Sequence, residues 1–395
     1  MNQARASQLS PAGDLNARGP VALIYSPHAG SAHGIHPQKL LERAGVPVAI
    51  AEPVVALDTA QPQGQRWRDM GCVAAVAAGG DGTVGAAATH AASVGLPVGV
   101  LPLGTANDVA RALGIPLDPA AAARVIAYGE LYQIDAGQAV PSLTEPHAAE
   151  RIPPPTESAL DAALASAATK PAVDGAYFLH ALTLGLNVEF ARLATDAARR
   201  KVWGRLTYAI SALASLEHLK PIAVTLRFSG MPGAPENEVF ETHSQTTLLT
   251  AINLPVFGGR LGLRVPGIQT DDRLLDFIVV EAPEPGSARV AVEASLSALT
   301  KAARTLWGAR DNASEPQHPV QHPVQHPVQH PAGVALPGAR WFRARAVEIE
   351  TETPVDLTLD GELRGRTPAV ARVAPRPVQM IVPAARLTQA ERKAT

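Results

Sequence analysis

The stretch Val73-Ala74-Ala75-Val76-Ala77-Ala78-Gly79-Gly80-Asp81-Gly82-Thr83 decides the fold. Its first six residues are small and apolar with no polar alternation, the pattern of a strand buried on both faces of a parallel sheet. The glycines after it let the backbone approach a ligand closely. The run Val84-Gly85-Ala86-Ala87-Ala88-Thr89-His90 then reads as a helix. A strand, a glycine turn and a helix N-terminus together suit an anion, because the first helical N–H groups lack partners and the dipole is positive there. The competing reading is an Asp-Gly hairpin turn, which needs a second strand where a helical pattern stands.

The same unit recurs on either side. Val21–Tyr25 reads as a strand running into the turn Ser26-Pro27-His28-Ala29-Gly30, and residues 46–50 or 54–57 as a second strand. Residues 98–101 make a further strand, ending in Pro102-Leu103-Gly104-Thr105. Helices are expected at 83–93, 107–113 and Pro119–Tyr128, the last with Asp118 as N-cap, Pro119 at its first position and Gly129 beyond its end. Strand, loop and helix in alternation argue an open, mostly parallel α/β sheet. From residue 176 onward strand signals dominate, at 177–184, 222–228, 246–252, 274–280 and 346–350, with one helical stretch at 205–218. That half reads as antiparallel and β-rich.

The expected division is therefore an α/β domain over 20–138, rejoined by a C-terminal strand at about 376–386, and a β-rich domain over 139–375. Two segments break the pattern. Residues 141–172 are rich in Pro and Ala and read as an inserted loop. Residues 311–336 carry a Gln-His-Pro-Val repeat, where proline at every fourth position blocks helix and ladder alike, so a linker reading prevails over a metal-binding one.

Composition excludes several classes. The net charge of −2 gives no global attraction to nucleic acid or to an anionic membrane. The polar first 19 residues and the lack of a long apolar run argue against a signal peptide and a transmembrane span. Cys72 is the single cysteine, set in an apolar run, so no disulfide can form within the chain and a cytoplasmic location is expected. Residues Trp203, Leu206, Tyr208, Ile210, Leu213 and Leu216 offer an apolar helix face; helical spacing favours a core-facing role over insertion into a bilayer.

A second loop, Pro102-Leu103-Gly104-Thr105-Ala106-Asn107-Asp108-Val109-Ala110-Arg111, again sets Gly, hydroxyl, amide and carboxylate between a strand and a helix. Ordinary helix capping would explain it alone. Two such loops on successive strand tips would face one crevice, where α/β sheets bind ligands. No Gly-Lys-Ser/Thr loop is present, so phosphate charge falls to backbone N–H groups, a cation and Arg111.

With these two motifs, Ile134-Asp135-Ala136-Gly137, Asp271-Asp272-Arg273-Leu274-Leu275-Asp276 and Leu359-Asp360-Gly361-Glu362 occurring in order, the chain resembles the diacylglycerol kinase catalytic family, in its soluble bacterial lipid-kinase branch related to sphingosine kinases. The resemblance implies an N-terminal α/β domain, a C-terminal antiparallel β-sandwich and an active site in the cleft between them. It implies transfer of the γ-phosphate of ATP, with Mg²⁺, to the hydroxyl of a diacylglycerol-like lipid, giving phosphatidic acid. It assigns nucleotide contacts to Ser26, Gly30, Gly79, Gly80, Asp81, Gly82, Thr83, Thr105, Asn107 and Asp108. It groups Asp81, Asp108 and Asp135 around the phosphate-bearing Mg²⁺. A structural Mg²⁺ falls on Asp272 with the carbonyls of Gln269 and Leu274. Glu362 is the implied proton acceptor, with Asp81 its rival. The partner is a lipid at the membrane surface, reached by transient peripheral contact; a homodimer is left open.

The sequence departs from the family pattern at Ser26 (usually Asn), at Gly85-Ala86 (often Asn-Glu) and at Arg273 (usually Gly). An NAD kinase shares the Gly-Gly-Asp-Gly-Thr loop but not the Gly-Thr-Ala-Asn-Asp stretch or the late Asp-Gly-Glu. A catalytically silent nucleotide-binding regulator is the third reading.

Overall fold

The computed structural model describes residues 9–10, 19–27, 35–57, 63–141, 175–185, 221–235, 237–257, 263–265, 267–282 and 339–384. The expected insertion at 141–172, the helix at 205–218 with its apolar face, and the repeat at 311–336 lie outside the described residues, save Pro141.

Seven strands form the first sheet, in the order Leu9–Ser10, Glu130–Ile134, Val378–Val382, Val98–Pro102, Ala74–Gly79, Val21–Tyr25 and Val48–Pro53. The last five run parallel, while Glu130–Ile134 pairs antiparallel with Val378–Val382 on one side and Leu9–Ser10 on the other. Every residue of Ala74–Gly79 is buried. Its small side chains let helices pack close, as the unalternating pattern requires. Helix Asp81–Val94 covers this strand and ends at Gly95, whose φ of +70° supplies the left-handed cap. Helix Pro119–Tyr128 begins as expected, with the Asp118 carboxylate accepting the Ala121 N–H at 2.8 Å. The second strand lies between the two sequence candidates, at Val48–Pro53, and Val54–Ala56 turns instead as a single 3-10 turn.

The second sheet has eleven strands, all antiparallel and joined by continuous hydrogen bonding. The long strand Val239–Ile252 changes partners midway: up to Thr246 it pairs with Ile222–Ser229, and beyond the irregularity at Thr246/Leu248 it lies between Ala181–Gly185 and Leu275–Glu281. A bulge of this kind bends a strand and strengthens its twist. Aromatics are scarce in the chain, yet Phe178, Phe228, Phe277 and Phe342 all lie in this sheet's core. Phe228 stacks on Phe342 with ring centroids 4.5 Å apart and meets Phe277 edge-on at 5.3 Å, geometries worth something beyond area alone.

The chain enters the second sheet through Asp135 and Ala136 and leaves it through Ala374, and the two crossings are bonded to each other by the Ala374 N–H on the Ala136 carbonyl at 2.7 Å. Just past the first crossing, a Cβ on Gly137 would stand 1.9–2.4 Å from the Phe178 ring. Replacing it must push that ring out of the aromatic core. Gly137→Ala is expected to destabilise the protein by about 1–3 kcal/mol, the range for overpacking, read as a lower urea midpoint; an unchanged midpoint would show that the ring relaxes freely.

Candidate active site

The two glycine loops are pressed together at the tips of adjacent parallel strands. The Gly79 carbonyl accepts the N–H groups of Leu103 (2.9 Å) and Gly104 (3.1 Å). A Cβ on Gly104 would lie 2.4 Å from the Gly80 Cα, so only glycine fits there. Asn107 then fixes the second loop: its Oδ1 accepts the Gly104 N–H and its Nδ2 donates to the Gly104 carbonyl, both at 2.9 Å. It does so from a left-handed backbone, φ +54°, which asparagine tolerates better than most residues.

Asp81 joins the loops. One carboxylate oxygen accepts the Asp108 N–H at 3.0 Å and the other accepts the Val109 N–H at 2.9 Å. It therefore caps the helix Asp108–Ala112 from outside that helix, in place of a side-chain cap from Asn107. Asp81 stands at the first turn of its own helix, whose N-cap, Gly80, has no side chain to offer. Thr83 is buried, and its Oγ1 folds back so closely that a Cβ on Gly79 would meet it at 2.3 Å. Its side chain packs the turn, whereas Thr105 is exposed at the loop tip. Ser26 sits at the neighbouring strand tip, its N–H on the Ala78 carbonyl at 3.0 Å; Gly30 lies outside the described residues.

Glu362 belongs to the second sheet but reaches the first loop. A Cβ on Gly82 would lie 2.2 Å from Glu362 Oε1, so the carboxylate rests on Gly82 at the start of helix Asp81–Val94. Arg364 donates to the other oxygen of Glu362 at 2.7 Å. The turn that delivers it is a hairpin: Asp360 (φ +49°) and Gly361 (φ +84°) are both left-handed, between strands Asp356–Leu359 and Glu362–Arg366, as type I′ requires.

Asp360 does more than turn the chain. Its carboxylate accepts the N–H groups of Leu179, His180 and Ala181 at 2.9–3.0 Å. This is why the expected strand over 177–184 is broken into Ala176–Phe178 and Ala181–Gly185: the intervening backbone donors turn to the carboxylate instead of a ladder. Burial pushes the Asp360 carboxyl up to about 7, against the pull of its three N–H donors and with the nearby Asp81 charge adding to the rise. Oδ2 of Asp360 would lie 2.8 Å from a Cβ on Gly85. The family departure at 85 thus faces this carboxylate. The Tyr177 N–H donates to Thr89 Oγ1 at 3.0 Å, a second tie between helix Asp81–Val94 and the second sheet. The pocket bounded by Gly82, Gly85, Thr89, Tyr177, Asp360 and Arg364 has about 30 Å³ of free space, enough for a water or two but not a lipid headgroup.

The other carboxylates lie apart from this arrangement in their contacts. The resemblance groups Asp135 with Asp81 and Asp108, but both oxygens of Asp135 bond to Arg273, through its backbone N–H at 2.6 Å and its guanidinium at 3.1 Å. Asp272 faces Arg343 and the Leu274 N–H; Gln269 is exposed. Among the described residues, no group of three or more His, Cys, Asp or Glu side chains could hold a metal ion. Cys72 is buried and free, its thiol pushed up by burial, as suits a packing residue. Sequence reasoning missed two positioning residues. Asp360 was legible only as a turn residue, since its three partners lie some 180 positions away. Asn253, whose Nδ2 donates to the carbonyls of Asp135 and Leu179 at 2.8 Å, carried no local signal.

Residues 20–139 match the family model described as the diacylglycerol kinase catalytic domain. A diacylglycerol kinase of Mycobacterium tuberculosis is 28% identical over 215 residues, 54% of this chain and 56% of that protein, so the chain matches little more than half of that relative's length. A protein of Stenotrophomonas maltophilia named as a YegS-like lipid kinase is 30% identical over 301 residues, 74% of each chain. A crystal structure of a candidate diacylglycerol kinase from Bacillus anthracis has a TM-score of 0.54 at 19% identity, covering 93% of this chain and 98% of that one, which speaks for a shared fold. No described helix is long and apolar enough to cross a membrane. With these matches, and with its two glycine loops joined by Asp81 and its late Asp-Gly-Glu turn set against the first, the chain belongs to the diacylglycerol kinase catalytic domain family.

Proposed function

We propose that this protein is a lipid kinase that moves the γ-phosphate of ATP to the hydroxyl of a diacylglycerol-like lipid, forming phosphatidic acid. The observation that carries the reading is the contact of Glu362 with Gly82. In this reading Glu362, as acceptor for a hydroxyl proton, meets the first glycine loop in a crevice between the two sheets that we take as the active site. The N–H groups at the start of helix Asp81–Val94, together with Thr105 at the second loop tip, would receive the nucleotide phosphates. Phosphoryl transfer asks little covalent chemistry of a protein; positioning and charge stabilisation dominate.

In this reading Glu362 accepts the lipid hydroxyl's proton as the oxygen attacks phosphorus, and Arg364 orients its carboxylate. Asp81 is a positioning residue, because two backbone N–H groups already occupy its oxygens. Mg²⁺, when bound, neutralises phosphate charge; with no protein cage among the described residues it would be held chiefly by the phosphates and waters, near Asp108. The lipid would be met at a membrane surface from the water side, by a protein expected in the cytoplasm.

Radiolabelled ATP offered with diacylglycerol, sphingosine, phosphatidylglycerol or NAD tests the proposal. Label in phosphatidic acid supports it; label in NADP, or nucleotide binding without transfer to any acceptor, removes it. Glu362→Gln is expected to lower kcat by roughly 10²–10⁴, as for a lost general base, while leaving KM for ATP near its original value. A rise in KM with kcat kept would make Glu362 a nucleotide contact. Asp81→Asn turns one acceptor into a donor facing a backbone N–H. It should weaken ATP binding by roughly 10- to 100-fold, as about 1.5–3 kcal/mol for a charged hydrogen bond implies, with unchanged far-ultraviolet circular dichroism. Unaltered ATP affinity with turnover abolished would return Asp81 to the chemistry.

A further inference from the structure

At the place where the resemblance implies a structural Mg²⁺, on Asp272 with the carbonyls of Gln269 and Leu274, we propose that two guanidinium groups, Arg273 and Arg343, do the cation's work and that this chain binds no metal there.

Both oxygens of Asp272 and of Asp135, and one of Asp276, are already engaged. Asp272 accepts the Leu274 N–H with Oδ1 at 3.1 Å and the Arg343 guanidinium with Oδ2. Asp276 accepts the Trp341 indole N–H at 2.8 Å and has Arg343 Nε at 3.3 Å. The Asp135 carboxylate is taken by the N–H and the guanidinium of Arg273. Mg²⁺ demands near-octahedral oxygen ligands and surrenders water reluctantly. Here it would have to displace charged donors and then stand beside two fixed positive groups.

Arg273 is the residue that changes the outcome. Its φ is +61°, a conformation that suits the family's glycine and that long side chains seldom adopt. The side chain from that strained position reaches both crossings between the sheets: Asp135 on the entering segment and, at 2.8 Å, the carbonyl of Ala374 on the returning one. A planar guanidinium can bond two acceptors on separate segments at once, whereas an ion would need its ligands gathered around a point. The arginine thus ties together the two passages of chain that a metal site nearby would have steadied.

The inference is independent of the transfer reaction, and its test uses no activity. Nucleotide-free protein is titrated with Mn²⁺ as the probe, followed by the electron paramagnetic resonance signal of the free ion, and is melted in EDTA and in excess Mg²⁺. Asp272→Asn is expected to leave Mn²⁺ binding unchanged from that of the unaltered protein, and the unaltered protein should melt at the same temperature in EDTA and in Mg²⁺. Arg273→Gly should melt several degrees lower in EDTA and regain part of the loss in Mg²⁺. A Mn²⁺ ion bound by the unaltered protein and lost in Asp272→Asn overturns the proposal. So does an Arg273→Gly protein that melts like the original in EDTA. Should Arg273→Gly fail to fold, the Mn²⁺ comparison decides alone.

Discussion

The close contact of two backbones, at Gly80 and Gly104, is the constraint on which the rest of the site depends. Adjacent parallel strands lie about 4.8 Å apart, so loops leaving their tips are crowded from the outset. Glycine lets them touch, and once they touch, polar groups on each find partners on the other. The Gly79 carbonyl takes two N–H groups of the second loop, and Asp81 takes two more. Without that proximity Asp81 would have nothing to cap, and the helix Asp108–Ala112 would begin with bare donors. Rigidity here comes from hydrogen bonds between the loops together with the two that Asn107 makes to Gly104 within the second. A phosphate-binding place needs donors held in fixed directions before the ligand arrives.

The parts of this arrangement that were legible in the sequence are those whose causes are local. The buried strand Ala74–Gly79 showed itself through small apolar residues without alternation, the helix at Pro119–Tyr128 through its cap, its proline and its final glycine, and the turn at Asp360-Gly361 through a residue pair that accepts left-handed backbone. The break at Leu179–His180 did not, because its cause is a carboxylate brought in by the opposite hairpin. The partner of Asp135 was likewise hidden. Arg273 could be seen as a departure from a glycine, but nothing in the string of letters says that its side chain folds back onto Asp135 and Ala374. Asp81 was legible as a carboxylate beside a glycine turn, but its two backbone partners on the next loop were not.

The second sheet contributes to the site by holding a hairpin against a helix. Its aromatic core sets the strands, the strands set the Asp360-Gly361 turn, and the turn carries Glu362 to Gly82. The chain between the two sheets runs through Asp135-Ala136 outward and Ala374 back, and the hydrogen bond between those passages makes them behave as one joint. Glu362 meets Gly82 across the two sheets that this joint connects, although the two residues are far apart in sequence.

Gly85 shows how such a fit constrains change over time. Its missing side chain is the hollow into which Asp360 settles while gathering the amides of residues 179–181. A Cβ at 85 would stand 2.8 Å from Asp360 Oδ2, so the carboxylate that holds those three amides would have to give way. Change at 85 is therefore felt at 360: a lineage that fills the hollow shifts the carboxylate, and with it the hairpin that meets the helix.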